Sequence, residues 1–393
     1  MVAVTGMGVL TFSLIAPALP DLADALGVSR SQIGLVQSAV AVPGIALALF
    51  IGYAYDLRGR RAVAAASLLV FGIAGVAGFF ARTFWALVVV RAVQGIGTSG
   101  ILSLGVIVIG DLFPPGYARR WAIGINSAAL TMTGMVAPIL GGALAETDPF
   151  APFLVFGIAL PLAVVAGRRL PGSDDDHPPQ RPAAHLRGMA SELRAGRRLA
   201  DFAGLMAFGT FALIVFAGIG FTTTPLYLEA EFGLAAAARG GIQALLSVGS
   251  TTASLTVARA SRRYGNRRVF AVGITLIMIA FGALAAAPTL TVAGTGLLLL
   301  GLGLGLSFPL VQDFVTSSVS TAHRGAAVGA FVMAVRLGQS IGPLLAGIMA
   351  DTPGTRATYL VGGVATLAFL VTWHPMRRAA RRIAGEPPLS RRR

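Results

Sequence analysis

The chain has 393 residues, of which 55% are hydrophobic and 12% are charged, and its mean hydropathy is +0.78. Soluble domains carry about 25% charged residues, so this composition excludes a soluble globular protein. The net charge is +15, and the absence of cysteine excludes disulfides and thiolate chemistry.

Apolar stretches of about 20 residues, the length that crosses a hydrocarbon core, recur along the whole chain. They predict an all-α membrane protein with twelve transmembrane helices. The first begins at Val2 without a preceding basic stretch and is followed by further spans, so we interpret it as helix 1 rather than a cleaved signal. The predicted spans are about 2–20, 31–55, 62–81, 84–110, 121–145, 150–167, 202–227, 236–258, 269–287, 290–316, 325–350 and 356–374.

The arginines indicate how these helices cross the membrane. If the charged loop after span 2 is cytoplasmic and the loops alternate, 25 arginines lie on the cytoplasmic side, four lie outside and two lie within spans. This asymmetry follows the positive-inside rule and explains the basic charge without a nucleic-acid partner. We therefore expect both termini in the cytoplasm, in the plasma (inner) membrane of the cell. The outside group is Arg30, Arg82, Arg239 and Arg356, and the pair within spans is Arg91 and Arg336.

The second half of the chain repeats the first at an offset of 205–206 residues. The segment ALGVSRSQIGLVQSAV (25–40) aligns with EFGLAAAARGGIQALL (231–246), and Gly59 aligns with Gly265. Each half holds six spans, so both copies insert in the same orientation. We expect them to be related by an axis along the membrane normal, with a binding site between them near the midplane.

The repeat defines the expected domain organisation. We predict a six-helix bundle at 1–167, a cytoplasmic linker at 168–200, a second bundle at 201–374 and a basic tail at 375–393. The linker is expected to contain a short amphipathic helix lying on the membrane. Its three aspartates and two histidines favour a solvated linker over a metal site.

The loop GYAYDLRGRR between spans 2 and 3 is a compact charged segment. Asp56 ends span 2, where the dipole of its own helix repels a negative charge, so it needs another partner. The N-terminus of span 11 would supply one, which would hold the cytoplasmic ends of the two halves together; alternatively, the charges only fix topology. Arg60 or Arg61 is expected to pair with Asp111. The candidate gating residues are Gly52, Asp56, Arg58, Gly59, Arg60, Arg61 and Asp111, and for Gly52, Arg58 and Gly59 this role is only what the family resemblance described below implies.

Spans 4 and 5 carry an arginine and a glycine series. Arg91, in RAVQGIGTSG, lies about two turns inside the outer end of span 4, where an unpaired charge is costly unless its side chain extends to the headgroups. In GMVAPILGG, small residues permit close packing against the other half, and the proline bends the helix. Such packing also occurs in other membrane bundles. The series consists of Gly134, Pro138, Gly141 and Gly142.

Few other charges are expected near the interior. Asp313 in span 10 is the one acid predicted inside a span, and Arg336 in span 11 is expected to reach it. That pair is either structural or linked to proton transfer. A group of acids at the outer ends of spans 1 and 7 forms either an acidic vestibule or solvated loops. This group is Asp21, Asp24, Glu229 and Glu231.

Uncharged polar residues recur on the helices that are candidates to line a cavity. Because the spans are otherwise apolar, this pattern favours an amphipathic organic solute. The sequence contains no phosphate-cradling loop and no cluster with metal-ligand spacing, so we expect neither an enzyme nor a cofactor. The candidate cavity residues are Gln37, Gln94, Asn126, Thr131, Thr222, Gln243, Gln312 and Gln339.

Over essentially its whole length the sequence resembles the major facilitator superfamily of secondary transporters, and within it the twelve-helix drug–proton antiporters. The resemblance rests on the loop GYAYDLRGRR, on RAVQGIGTSG, on DLFPPGYARRWAIG and on GMVAPILGG. It implies a cytoplasmic latch at the loop, a link between Arg91 and proton coupling, and an antiporter motif in span 5, where Ala137 replaces the usual glycine. It departs in span 1, where many such antiporters carry an acid and this chain has Thr11.

These inferences predict a carrier that exports an amphipathic compound in exchange for protons by rocking of its two halves. The expected partners are a small-molecule substrate, protons and lipid, and we expect a monomer. One alternative is a symporter or uniporter for a small anion or metabolite, because Arg91, Arg336 and Asp313 leave the spans net positive. A more remote alternative is a sensor or scaffold with the same fold.

Overall fold

A computed structural model describes residues 2–112, 117–169, 182–196, 199–320, 323–351 and 354–383. Within these residues the chain is helical, with no strand. Two 3₁₀ segments, at Ala16–Ala18 and Ala151–Ile158, and a π-helical segment at Ile214–Thr223 interrupt the α-helices. The α-helices are α1 Val2–Ser13, α2 Leu19–Leu26, α3 Arg30–Ala39, α4 Val42–Phe80, α5 Phe84–Leu112, α6 Tyr117–Ala145, α7 Ala159–Arg169, α8 Pro182–Ala195, α9 Leu199–Leu213, α10 Thr224–Phe232, α11 Ala236–Tyr264, α12 Asn266–Ala286, α13 Leu290–Ser317, α14 Arg324–Asp351 and α15 Thr355–Ile383.

The predicted all-α membrane fold is confirmed. In the described part of the chain, eight helical segments are long and apolar enough to cross a membrane. The other predicted spans, 2, 5, 8 and 12, are helical as well. Span 2 falls on α3 and the start of α4, and spans 5, 8 and 12 fall on α6, α11 and α15.

Glycines aligned by the repeat adopt matching backbone conformations. Gly27 and Gly233 end α2 and α10 with φ of 62° and 60°. Gly59 and Gly265 have φ of 74° and 82°, and Gly59 divides the continuous α4 at the predicted loop between spans 2 and 3. Backbone conformations with positive φ favour glycine because it lacks a Cβ atom. This preference explains why glycine occurs at the same positions in both halves.

The buried apolar residues form two clusters. One is drawn mainly from residues 7–166 and the other mainly from residues 189–359. Each cluster also takes a few residues from the opposite half, among them Phe12 in one and Leu226 in the other. The two halves therefore have separate cores that meet along a shared face.

The linker helix α8 differs from its predicted position on the membrane surface. Its apolar residues Met189 and Leu193 are buried in the core of the second half. Its Glu192 accepts hydrogen bonds from the backbone and hydroxyl of Ser320, at 2.8 and 2.9 Å, and from His323 at 2.5 Å. The bond with His323, together with those from Ser320, holds the pKa of Glu192 below its usual value. The helix is amphipathic as expected, but its apolar face is covered by protein.

Candidate functional site

Spans 1 and 7, which the repeat makes equivalent, both depart from α-helical geometry. Between α1 and α2 the chain passes through a turn and the 3₁₀ segment Ala16–Ala18. Between α9 and α10 it forms the π-helix, where the hydroxyl of Thr222 donates to the carbonyl of Ala217 at 3.1 Å. Interrupted helices at matching depths of two repeats often mark the binding region of a transport protein.

Arg91 lies at the centre of a neutral hydrogen-bond network in the first half. Its side chain is fully buried, with 0% exposure. It donates to the side-chain oxygens of Gln94 at 2.7 Å and Gln37 at 3.0 Å, and to the backbone carbonyls of Thr11 at 2.8 Å and Val36 at 3.4 Å. The guanidinium thus joins spans 1, 2 and 4 through polar groups that carry no net charge. It points into the bundle, so the alternative of a side chain reaching the outer headgroups is not adopted.

The equivalent place in the second half lacks the arginine. Gln243 aligns with Gln37, and the position 206 residues after Arg91 is Leu297, which is fully buried. Gln243 donates to the carbonyl of Gly220 in the π-helix at 2.9 Å, but its side-chain oxygen is buried without a hydrogen bond. The polar interior of the molecule is therefore asymmetric.

Arg336 is another buried arginine and lies where the halves meet. It is 5% exposed and donates to the side-chain oxygen of Gln339 at 3.2 Å. Its side chain packs against Gly44 in the other half, where an added Cβ would lie 3.3 Å from the guanidinium Nε and 3.2 Å from the Ser99 hydroxyl. Three helices, α4, α5 and α14, therefore surround this cation.

The prediction that Asp313 pairs with Arg336 is wrong. Asp313 is exposed and lies four residues before the end of α13, whereas Arg336 is buried twelve residues into α14. With a rise of 1.5 Å per residue, the two Cα atoms differ in depth by about 12 Å. Among the described residues, no ion pair joins them.

The two halves touch through backbone at the end predicted to be outside. Gly34 lies against the carbonyl of Pro343, and its repeat partner Gly240 lies against the carbonyl of Pro138. A Cβ at either glycine would clash with these carbonyl oxygens. A second matched pair of contacts follows the same symmetry: Gly142 lies against the carbonyl of Ala236, and Gly347 against that of Arg30.

These contacts explain the glycine series of span 5. Gly142 and Pro138 contact the other half directly, and Gly134 faces Ser247 there. Gly141 differs from the expectation, because it packs against the carbonyl of Leu14 in its own half. Small residues therefore serve two different close contacts on one helix.

Carboxylates add a second layer to the same interface. Asp351, at the end of α14, accepts from the backbone amides of Arg30 and Ser31 at 3.0 and 2.8 Å. Glu146, after α6, accepts from the amide of Ala237 at 3.3 Å. Each acid thus occupies the N-terminus of a helix in the opposite half, where free amides and the helix dipole favour negative charge.

Ion pairs complete this interface, which is called the outer interface below because it lies at the end predicted to be outside. Arg239 is 1% exposed and pairs with Asp21 of the other half. Arg30 pairs with Glu229 across the same interface at 3.4 Å. Arg239, which was predicted on the outer side, is the fourth residue of α11 and faces the other half. Asp21 and Glu229 are therefore cross-half partners, while Glu231 pairs with Arg356 within the second half at 2.8 Å.

Replacing Asp21 with Asn is expected to loosen this end of the molecule, because it leaves the buried Arg239 without its counter-charge. Cysteines introduced at the exposed Ala25 and Ala230, in a chain that has no other cysteine, allow spin labels to report the separation of the halves. We expect a population with a longer distance in Asp21→Asn. The exposed Asp24→Asn is the matched control, and equal distances in both variants would contradict the prediction.

Most of the predicted gating residues lie outside the described side chains. This applies to Gly52, Asp56, Arg58, Arg60 and Asp111. Of the others, Gly59 forms the break in α4, and Arg61 donates to the carbonyl of Gly167 at the end of span 6. The predicted pairing of Arg60 or Arg61 with Asp111 involves side chains outside the described ones and stays a prediction.

The candidate cavity residues separate into distinct environments. Gln37 and Gln94 are buried with Arg91, and Gln339 is half-buried beside Arg336. Thr222 bonds within its own helix, Gln312 is exposed, and Asn126 is half-buried. Thr131 lies outside the described side chains. Two clusters, one around Arg91 and one around Arg336, thus account for three of the eight candidates.

Sequence reasoning did not identify Arg239, Glu146 and Asp351 as interface residues. A signal for them was present in the repeat. Glu146 and Asp351 are 205 residues apart, and the helix starts that they contact, at Ser31 and Ala237, are 206 residues apart. Acids at equivalent helix ends, opposite equivalent helix starts, predict equivalent contacts.

Two helical bundles that meet at one end around buried charged groups, in a chain that crosses the membrane many times, define a membrane transport protein rather than an enzyme. The sequence model described as Major Facilitator Superfamily matches residues 1–338 and 206–390. The chain belongs to this family.

The chain is similar to efflux proteins over part of its length. It is 32% identical over 148 residues to the bacillibactin exporter of Bacillus subtilis (strain 168), covering 36% of this chain and 37% of that protein. It is 28% identical over 154 residues to the multidrug transporter protein MdtP of the same organism, covering 39% and 28%. The chain thus spans about a third of the length of these curated relatives.

Solved structures share the fold over nearly the whole chain. A bacterial homologue of the human lysosomal transporter Spinster, in an inward-facing and occupied conformation, superposes with a TM-score of 0.75. The sequences are 18% identical, and the match covers 99% of this chain and 97% of that one.

Proposed function

We propose that this protein exports an amphipathic organic compound in exchange for protons, as a monomer in the plasma (inner) membrane with both termini in the cytoplasm. The observation that supports this most is the symmetric interface between the halves at one end. Its glycine–carbonyl contacts and ion pairs have to separate if the halves rock and open a path on that side. Partial similarity to a bacillibactin exporter and a multidrug transporter favours export as the direction.

An apolar cavity in the second half is a candidate for the body of such a compound. It measures about 180 Å³ and lies between the π-helix region, α11 and α13. Drug-sized sites usually measure roughly 300–1,000 Å³, so this cavity fits one ring or chain of a larger molecule. Its lining includes Phe216, Leu304, Phe308 and the hydroxyls of Ser250 and Ser254.

Proton coupling needs groups that titrate and also bias the two states. The carboxylates of the outer interface meet both requirements in this proposal, because protonation weakens their contacts across the halves. Asp21 is the strongest candidate, since its loss of charge leaves the buried Arg239 without its ion-pair partner. The roles of Arg91, Asp313 and Arg336 in coupling, and of Asp56 as the cytoplasmic latch, remain predictions.

Flux in inside-out membrane vesicles tests the proposal. A proton gradient is followed with a pH-sensitive dye while lipophilic cations, neutral drugs and organic anions are added in turn. We expect some compounds to dissipate the gradient, and Asp56→Asn to abolish that response while the protein still inserts. No response to any compound from correctly inserted protein would instead favour a symporter or uniporter for a narrower metabolite.

A further inference from the structure

Arg336 places a positive charge deep in the membrane. It lies twelve residues from the start of α14 and fifteen from its end, which corresponds to about 18 and 22 Å along the helix. A guanidinium at this depth cannot reach either headgroup layer.

The protein provides this cation with little compensation. In the described part of the chain it forms a single side-chain hydrogen bond, to Gln339, although a guanidinium has five N–H donors. No carboxylate pairs with it there: Asp313, the partner predicted from the sequence, lies at a different depth, and Asp351 lies at the far end of α14. The acids of the neighbouring α4 and α5 lie far along those helices from the residues beside Arg336: Asp56 is twelve residues from Gly44 and Asp111 is twelve residues from Ser99, about 18 Å in each case.

Arg91 shows that this is not how the fold treats every buried arginine. Arg91 makes four hydrogen bonds and is completely enclosed. Arg336 instead packs against Gly44 of the opposite half, on the surface that must change during alternation. Arg91 is therefore held within one bundle, whereas Arg336 lies between the two bundles and has N–H groups without a described hydrogen-bond partner.

We propose that Arg336 binds an anionic group of the substrate, such as a carboxylate or a sulfonate. This inference rests on the proposed transport function and specifies its substrate class. The guanidinium fork matches the two oxygens of such a group, and the low-dielectric surroundings make the charged hydrogen bonds strong. Gly338 lies against Leu213, which lines the apolar cavity, but it is two residues from Arg336 and therefore on the opposite face of α14. The proposed anion site and the apolar cavity are therefore separate.

The test compares three probes that share a naphthalene ring. These are naphthalene-2-sulfonate, naphthalene-2-sulfonamide and trimethyl(2-naphthyl)ammonium, with charges of about −1, 0 and +1 at neutral pH. Thermal unfolding of the purified full chain in detergent reports binding, because a ligand of the folded state raises the melting temperature. We expect the sulfonate to stabilise the wild-type protein and the other two probes to have little effect.

Variants separate recognition from a structural role. Arg336→Gln is expected to weaken sulfonate binding by about 30-fold or more. It is also expected to raise the melting temperature of the free protein, because it removes an uncompensated buried charge. Arg336→Lys retains the charge without the fork, so its affinity should be intermediate. Arg263→Gln is the matched control, since Arg263 is exposed and should bind the sulfonate as the wild type does.

Equal sulfonate affinity in wild type and Arg336→Gln would overturn the proposal. Failure of the sulfonate to stabilise wild type, or a stronger effect of the cation, would overturn it as well. The vesicle assay distinguishes this failure from failure of the transport proposal. If Arg336→Gln vesicles export cations or neutral compounds as the wild type does, the result supports the proposed export and contradicts anion recognition by Arg336. If the sulfonate binds through Arg336 but no compound dissipates the gradient, the result supports the anion site and contradicts proton-coupled export.

Discussion

Arg91→Met is expected to lower the melting temperature of the purified protein sharply. The substitution leaves three buried acceptors without their partner, the carbonyl of Thr11 and the side-chain oxygens of Gln37 and Gln94. Each buried unsatisfied acceptor costs about 1–3 kcal/mol, so we expect a total loss of roughly 3 kcal/mol or more. Thermal unfolding in detergent measures the effect.

Arg356→Met is the control for this prediction. Arg356 is exposed and pairs with Glu231 near the surface, where ion pairs contribute about 0–1 kcal/mol. A purely functional role for Arg91 in proton coupling gives a different result. In that case Arg91→Met would unfold near the wild-type temperature and would change only the pH dependence of flux.

Gly240→Ala is expected to open the outer interface. The added methyl group would clash with the carbonyl of Pro138, and both atoms belong to helix backbones that cannot move aside independently. The halves must therefore separate at this end, which shifts the population towards a state that is open there. Spin labels on cysteines introduced at Ala25 and Ala230 should report a longer distance.

The neighbouring glycine provides a closely matched control. Gly241 lies on the same helix, and a Cβ added there meets nothing within 4 Å. Gly241→Ala has the same effect on helix propensity and none on the interface. Identical distance distributions for the two variants would show that the glycine–carbonyl contact does not hold the halves together. The repeat predicts a similar response from Gly34→Ala at Pro343.

The sequence by itself determined the helices and the internal repeat of this protein. Hydropathy is a local property, so runs of about 20 apolar residues identified the spans without knowledge of their neighbours. The glycine pairs could be recognised from the sequence because a backbone with positive φ favours glycine at both positions of the repeat. These pairs are Gly27 with Gly233 and Gly59 with Gly265. The family resemblance followed from motifs of the same local kind.

The partners of charged residues were decided only by the tertiary structure. Asp313 and Arg336 lie on consecutive spans, yet they differ in depth, whereas Asp21 and Arg239 are 218 residues apart and form an ion pair. Which groups meet depends on the rotation and depth of each helix, and these follow from packing against other helices rather than from local composition. The same packing surrounds the Arg91 guanidinium with neutral oxygen acceptors, whereas Arg336 has N–H groups without a described hydrogen-bond partner.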